Sequence, residues 1–173
     1  MHKAIFLDKD GTLVDCSGYP EIIPTHYLLE NDILDGLIHL QNQGYTLIII
    51  SNQPWISNGR LTKDQVETIF NRLINKLLVK GVVIHDYFYC SHQSSDKCYC
   101  KKPSPFLLFQ AARKYKLDLS QSYLVGDMHK DILAGKNAGV KTILVQTGCG
   151  KNCSSIEADY VIKNLNAIKE VIL

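Results

Sequence analysis

The chain has 173 residues, 46% of them hydrophobic, and its 19 basic and 17 acidic residues leave a formal net charge of +2. That length suits one domain with a substantial core, and the balance of charge gives no electrostatic case for a nucleic-acid partner or an anionic membrane surface. The apolar run before Asp8 has only four members, too few for a signal peptide, and no run approaches the length of a membrane span. We therefore expect a single cytoplasmic domain over residues 1–173, monomeric and without membrane contact.

Apolar periodicity and turn signals predict strands that alternate with helices along the chain. Buried strands are predicted at residues 4–7, 46–50, 82–89, 123–126 and 141–145. Helices are predicted from Asp32 to about Gln43, from a capping box at Thr62 and Gln65 to near Gly81, from Ser104 and Pro105 to Tyr115, and after residues 126–131 to Gly139. Residues 15–31 predict an irregular flap, and residues 159–172 a short edge strand and a closing helix. This alternation predicts an α/β fold, a doubly wound parallel sheet with helices on both faces and no large cap domain.

Two carboxylates follow the first predicted strand, in the stretch AIFLDKDGTLV at residues 4–14. If that strand ends at Leu7, Asp8 and Asp10 lie in the crevice at its carboxyl end, where open parallel sheets bind ligands. An unpaired buried carboxylate is costly, so two acids at this place need a reason. They form either a solvated Asp-Gly turn or a nucleophile and an acid/base group beside a divalent cation.

Polar residues also follow later strands, at the same predicted edge of the sheet. Ser51 and Asn52 can donate hydrogen bonds to phosphate oxygens, and Lys102 is a candidate counter-charge. Asp127 and Asp131 can supply a further metal-binding carboxylate. Each of these features alone is typical of ordinary loop capping or solvation, but together they predict one polar site.

Three thiols and an imidazole lie within eleven residues of the loop over residues 90–103. They are Cys90, His92, Cys98 and Cys100. In a cytoplasmic chain such a cluster is typical of a tetrahedral zinc site rather than of disulfides. Four protein ligands leave no open position, so we expect the zinc to be structural.

The four features DKDGTL, SN, KP and GD-x-x-x-D resemble the motifs of the haloacid dehalogenase-like phosphohydrolases, in order and spacing, over residues 3–147. The resemblance implies a Mg²⁺-dependent phosphatase in which Asp8 is the nucleophile and forms an aspartyl phosphate, while Asp10 transfers protons. It implies that Mg²⁺ is bound by Asp8, Asp127 and the backbone carbonyl of Asp10, a set of hard oxygen ligands. Ser51 and Lys102 would bind or neutralise the phosphate, and Asp131 would orient Lys102 or the metal shell.

The Cys/His loop running into Lys101-Lys102-Pro103 resembles the zinc-containing branch of that family, which includes heptose 1,7-bisphosphate 7-phosphatases and histidinol-phosphate phosphatases. Gly18-Tyr19, the loop SNQPWISNGR and Gln146-Thr147-Gly148 resemble elements of the heptose enzymes. This resemblance adds Asn52, Gln53 and Lys101 to the expected substrate contacts and implies a small phosphorylated sugar as substrate, in the biosynthesis of nucleotide-activated heptose for lipopolysaccharide core or related glycans.

Four positions depart from the pattern of the branch. They are Trp55, where a glycine is usual, Asn58 and Lys101, where arginine is usual, and Met128, where a basic residue is usual. The resemblance implies removal of the 7-phosphate of heptose 1,7-bisphosphate, although lysine does not reproduce the bidentate contact of arginine. Histidinol phosphate or another sugar phosphate is the alternative substrate, and a non-catalytic zinc-loop binding module or a phospho-signalling receiver domain is the alternative class.

Overall fold

A computed structural model of the chain describes residues 2–17, 30–148 and 157–173. The elements in chain order are β1 (Ala4–Leu7), α1 (Glu30–Asn42), β2 (Thr46–Asn52), α2 (Lys63–Val79), β3 (Asp86–Cys90), α3 (Phe106–Tyr115), β4 (Tyr123–Gly126), α4 (His129–Ala138), β5 (Lys141–Val145) and β6 (Tyr160–Ile162). Single 3₁₀ turns lie at Ser94–Asp96 and Leu119–Gln121, and a longer 3₁₀ segment at Leu165–Glu170 follows β6. Within these ranges, no helix combines the length and apolar character that a bilayer crossing needs.

The six strands form one parallel sheet in the order β3-β2-β1-β4-β5-β6. β1 is an interior strand of this sheet, and its successive side chains point to opposite faces of the sheet. Ile5 and Leu7 pack in the core beneath α1, α2 and the 3₁₀ segment, whereas Ala4 and Phe6 pack in the core beneath α3 and α4. This arrangement confirms the predicted doubly wound α/β fold, and β1, β4 and β5 have the predicted bounds.

The bounds of two strands, β2 and β3, differ from the prediction because of where the backbone hydrogen bonds go. β2 continues through Asn52, since Ser51 and Asn52 pair with the last two residues of β3. β3 runs from Asp86 to Cys90 rather than from Val82 to Tyr89. The N–H of Val82 is taken by the end of α2, at Leu77, and the N–H of Val83 by the side chain of Gln41.

Two helix starts also differ. α1 begins two residues before Asp32, whose carboxylate accepts a hydrogen bond from Asn164 at 2.8 Å rather than capping the helix. α3 begins at Phe106, with Pro105 as its N-cap. The predicted closing helix after β6 is present and is a 3₁₀ helix. The capping box at Thr62 is present as predicted, and most of the predicted flap, including Gly18-Tyr19, lies outside the described residues.

Candidate active site

The candidate site lies at the carboxyl edge of the sheet, between β1 and its neighbours. The backbone N–H of Asp8 donates to Val125 of β4 at 2.9 Å, so the first acid follows β1 while still attached to the adjacent strand. β4 ends at Gly126 and Asp127 follows it directly. Parallel strands therefore place Asp8 and Asp127 side by side, as the sequence predicts.

Lys102 supplies the positive charge of the site from a fully buried side chain. Its Nζ lies 2.6 Å from Asp8 Oδ1 and 2.7 Å from Asp131 Oδ1, and it donates to the carbonyl of Ile50 at 2.8 Å. Burial opposes the charged form, but the carboxylates of Asp131 and Asp8 outweigh it and hold the pKa of Lys102 above its ordinary value. Lys102 is therefore a buried cation held between the carboxylates of Asp8 and Asp131.

Asn52 holds the backbone of Lys102 in place. Its Oδ1 accepts from the Lys102 N–H at 2.9 Å, and its Nδ2 donates to the Lys102 carbonyl at 3.1 Å. Both ends of the side-chain amide are thus used by the loop that follows β3. The contact fixes Lys102 relative to the end of β2.

Asp10 lies beside the cluster, with a donor on each carboxylate oxygen. Lys9 Nζ contacts Oδ1, and Gln53 Nε2 donates to Oδ2 at 2.7 Å and to Ser51 Oγ at 3.0 Å. Burial is the main cause that raises the pKa of Asp10; Lys9 and Gln53 act against it and Asp8 adds to it. Gln53 therefore joins the expected proton-transfer group to the expected phosphate contact Ser51.

Three buried carboxylates form a group that could hold a metal ion. Oxygen atoms of Asp8, Asp127 and Asp131 all lie within 4.8 Å of one another. A Cβ at Gly11 or at Gly148 would overlap the Asp127 carboxylate, so only glycine fits at either position. The side chain of Asp10 is not part of this group; the sequence-based expectation for Asp10 concerns its backbone carbonyl.

The segment after β5 also packs against this site, a contact that the residue pattern does not predict. Thr147 Oγ1 donates to the Gly11 carbonyl at 2.6 Å, and Gly148 has a positive φ of 51° where it packs against Asp127. The buried Lys9 was also missed. Two signals were available in the sequence. One is a lysine between two acids at the end of a buried strand, and the other is a Thr-Gly pair after the end of another strand.

The Cys/His loop (residues 91–105), together with Cys90 at the end of β3, brings all four expected zinc ligands together. Cys90 Sγ lies 3.5 Å from Cys98 Sγ, 3.1 Å from Cys100 Sγ and 3.5 Å from His92 Nδ1, and the four ligand atoms lie within 4.8 Å of one another. These sulfur separations exceed a disulfide bond of about 2.05 Å. They approach the roughly 3.8 Å between ligand atoms that Zn–S bonds of about 2.3 Å set in a tetrahedron.

The side-chain hydrogen bond of Lys101 is directed to the Cys/His loop rather than to the carboxylate group. Its Nζ donates to Ser94 Oγ at 3.1 Å, within the Cys/His loop. Of the cysteines outside the cluster, Cys16 is described, whereas Cys149 and Cys153 lie outside the described residues.

Comparison with known proteins gives the same family as the motifs. The HAD-hydrolase-like family model matches residues 99–168. The D-glycero-β-D-manno-heptose-1,7-bisphosphate 7-phosphatase of Pasteurella multocida is 35% identical, over 99% of this chain and 97% of that protein. The D-glycero-α-D-manno-heptose-1,7-bisphosphate 7-phosphatase of Photorhabdus laumondii is 38% identical, over 84% of each chain.

The fold is similar to that of a solved relative. The crystal structure of D,D-heptose 1,7-bisphosphate phosphatase from B. bronchiseptica, complexed with magnesium and phosphate, superposes with a TM-score of 0.85 and 29% identity, and covers 98% of this chain and 97% of that chain. The resemblance stated from the sequence and the prediction of a phosphatase are thereby confirmed. This chain belongs to the haloacid dehalogenase-like phosphatases and, among them, to the family of the D-glycero-manno-heptose-1,7-bisphosphate 7-phosphatases.

Proposed function

We propose that the protein removes the 7-phosphate from D-glycero-D-manno-heptose 1,7-bisphosphate through an aspartyl phosphate on Asp8. The observation that carries this proposal is the buried contact of Lys102 with Asp8 and Asp131, beside Asp127, in a chain of this family. A lysine clamped on a carboxylate at a ligand-binding edge suits an anionic phosphate as substrate.

Asp8 acts as the nucleophile. A carboxylate oxygen attacks phosphorus, the bond between phosphorus and the sugar oxygen breaks, and the phosphoryl group becomes bound to Asp8. Water then attacks the aspartyl phosphate, which releases inorganic phosphate and restores the carboxylate. Lys102 offsets the repulsion between Asp8 and the incoming phosphate, and Ser51 Oγ donates to a phosphate oxygen.

Asp10 carries the proton in both steps. It protonates the departing sugar oxygen and then removes a proton from the attacking water. The raised pKa that burial gives Asp10 favours the protonated form required in the first step. Lys9 and Gln53 hold the two carboxylate oxygens and fix the direction of transfer.

Asp8, Asp127 and the backbone carbonyl of Asp10 would hold Mg²⁺, whose positive charge offsets the charge of the transferring phosphate when the ion is bound. The donor set fits this ion, since it consists of hard oxygens, and Asp8 and Asp127 lie in one buried group. Cys90, His92, Cys98 and Cys100 would hold a structural zinc, because four ligands leave no position for substrate.

Phosphate release from both anomers of the bisphosphate, measured with Mg²⁺ present, tests the proposal directly; histidinol phosphate belongs in the same assay as the alternative substrate. We expect Asp8→Asn to lower kcat by at least about 10³-fold, because an amide is not a nucleophile of this kind. Asp64→Asn, in the exposed first turn of α2, is the matched control. Turnover by Asp8→Asn at the wild-type rate, or faster hydrolysis of histidinol phosphate than of either bisphosphate, would contradict the proposal.

A further inference from the structure

A cavity of about 400 Å³ lies at the amino edge of the sheet, opposite the carboxylates of the candidate active site. Thr46, the first residue of β2, lines it, and the seven residues of that strand rise about 20 Å to the active-site edge. The cavity is therefore separate from the proposed phosphatase site. Its volume is within the range of pockets that hold small ligands. The polar residues that line it are His2, Thr46, His85, Lys114, Tyr115 and Lys116.

Positive charge dominates the lining of this cavity, and no carboxylate is among the described residues that form it. Lys114 is neutralised from behind, since its Nζ lies 2.8 Å from Asp86 Oδ2. The carboxylate of Asp118, close to Lys116 in the chain, accepts hydrogen bonds from the 3₁₀ turn that it caps. Within the described part of the chain, Lys116 has no ion pair. Its charge is therefore available to an anion.

The backbone of Lys116 is unusual for a residue with a side chain. It lies in the left-handed region, with φ 53° and ψ 48°, where it caps α3 by donating its N–H to the Ala112 carbonyl. Glycine or asparagine is the usual residue at such a position. The helix dipole favours a cation in the last turn and accounts for Lys114, but closing the helix at the next position does not require a lysine. The Lys116 side chain thus points to a use beyond capping.

The remaining donors are held by contacts that exist before a ligand binds. The Tyr115 hydroxyl donates to Asp86 Oδ2 at 2.6 Å, which fixes the end of α3 against β3. The His85 ring lies edge-on against the Tyr115 ring, with centres 4.5 Å apart. His2 is fixed through its backbone, because its carbonyl accepts from the Asp118 N–H at 2.8 Å. A pre-formed lining of this kind lowers the cost of binding.

From this lining we propose that the cavity binds a small anion that carries a phosphate group. Phosphate presents several acceptor oxygens, and ammonium, imidazole and hydroxyl groups all donate to such oxygens. Lys116 supplies the charge, His2 and His85 supply ring nitrogens, and Thr46 supplies a hydroxyl. The volume also accommodates a small carbon skeleton attached to the phosphate. Inorganic phosphate and small phosphate esters share this chemistry.

Imidazole resonances of the full chain test binding at this cavity. NMR spectra are followed at constant pH and ionic strength during titration with inorganic phosphate or glycerol 3-phosphate. Mg²⁺ is left out, so that the three carboxylates repel phosphate from the candidate active site. We expect the resonances of His2 and His85 to move together and to saturate. Those of His39, in α1, and His129, at the start of α4, should not follow that curve.

Lysine variants separate a role in binding from a role in stability. Lys116→Met should weaken binding of either probe roughly 10- to 100-fold, through the loss of a charge-assisted hydrogen bond. Lys116→Gly should weaken binding to the same extent while the protein stays at least as stable, because glycine adopts a positive φ without steric cost. Lys97→Met is the matched control, since Lys97 also has a left-handed backbone, with φ 48°, but lies in the Cys/His loop.

Tighter binding of glycerol 3-phosphate assigns the cavity to a phosphate ester, and tighter binding of inorganic phosphate assigns it to the free ion; both orders support the proposal. Equal affinity in the wild type and Lys116→Met, an equal loss in Lys97→Met, or shifts of His2 and His85 that do not saturate would overturn it. So would a His129 curve that coincides with theirs. None of these outcomes depends on turnover, so the proposed function is tested separately.

Discussion

Gln53 joins the proton-transfer group to the end of β2. One amide nitrogen donates to Asp10 at 2.7 Å and to Ser51 at 3.0 Å, and the residue is 1% exposed. A buried amide in this position can orient the acid/base group Asp10 through its hydrogen bond, without touching the substrate itself. Gln53 is therefore a positioning residue in the proposed mechanism.

We predict that Gln53→Leu lowers kcat about 10- to 100-fold and changes KM little, because an unoriented Asp10 loses part of the 10²- to 10⁴-fold effect of acid–base catalysis. The substitution keeps a similar volume but leaves a part-buried carboxylate oxygen without its amide donor, so the free energy of unfolding should fall by about 1 kcal/mol. Steady-state kinetics and denaturant unfolding check both effects.

Gln110→Leu, an exposed position in α3, is the matched control for Gln53→Leu and should alter neither quantity. A kcat within twofold of wild type in Gln53→Leu would show that Asp10 is oriented without Gln53.

At the residue scale, the sequence predicts the types of group at the site but not their contacts. Asp8, Asp127 and Lys102 could be located because each follows a strand, and parallel strands end at one edge. Asn52 was expected to bind phosphate, and nothing in the sequence indicates that both ends of its amide bind the backbone of Lys102. Partners of this kind depend on a register between loops that residue spacing does not encode.

At the scale of elements, the Cys/His loop leads from β3 to Lys102, the buried lysine of the candidate site. Cys90 is the last residue of β3, and Cys100 lies two residues before Lys102. The Cys90 carbonyl also accepts from the Gln53 N–H at 2.7 Å. A metal held at this cluster would therefore fix the path of the chain into Lys102. Through the hydrogen bond to Gln53, it would also fix the start of the loop that follows β2, residues 53–62.

Cys98→Ser should reduce bound zinc from about one ion per chain to well below half, because serine is a poor zinc ligand. The free energy of unfolding should fall, since zinc that binds only the folded loop stabilises it. We expect a partial loss of kcat/KM rather than a complete loss, because Cys98 is not a reacting group. Elemental analysis and thermal unfolding measure these effects.

Cys16→Ser, outside the Cys/His loop, is the control for zinc content. Full zinc occupancy in Cys98→Ser, or none in the wild type purified with zinc present, would contradict the proposed four-ligand site.

The bounds of the helices and strands are likewise set partly by local sequence signals and partly by contacts with distant residues. β1 and β4 were predicted to the residue because each is a short apolar run ended by a turn signal. The start of β3 was predicted too early, because the N–H of Val83 binds the distant Gln41 side chain instead of β2. α1 begins before Asp32 because that carboxylate is used in a contact with Asn164, 132 residues away. Tertiary contacts therefore decide the ends that local signals leave open.

At the scale of the whole molecule, the parallel sheet concentrates negative charge at one point. Three buried carboxylates lie within 4.8 Å of one another, and Lys102 is the ammonium paired with two of them. Burial raises the pKa of Asp131, as expected where the charged form is destabilised. The fold thus carries a local excess of negative charge that a divalent cation would relieve.

Because of this excess of charge, we expect Mg²⁺ bound at the proposed site to stabilise the folded protein. We predict that Mg²⁺ raises the melting temperature. The free energy of unfolding should rise by about 2.7 kcal/mol when the Mg²⁺ concentration is 100 times its Kd. Asp127→Asn should change both the stability without Mg²⁺ and the response to Mg²⁺. Without Mg²⁺ it should be at least as stable as the wild type, because one of three crowded like charges is gone, and the stabilisation by Mg²⁺ should largely disappear.

Thermal unfolding of both proteins, with and without MgCl₂, measures these effects. Free Mg²⁺ is removed by desalting rather than by a chelator, so that metal at the Cys/His cluster is retained. Asp64→Asn, the exposed control in α2, should keep the full response to Mg²⁺. An equal rise in melting temperature for Asp127→Asn and the wild type would show that Mg²⁺ stabilises the protein elsewhere. A less stable Asp127→Asn protein without Mg²⁺ would show that the Asp127 carboxylate is compensated by its surroundings, and that the site does not store the repulsion on which this prediction rests.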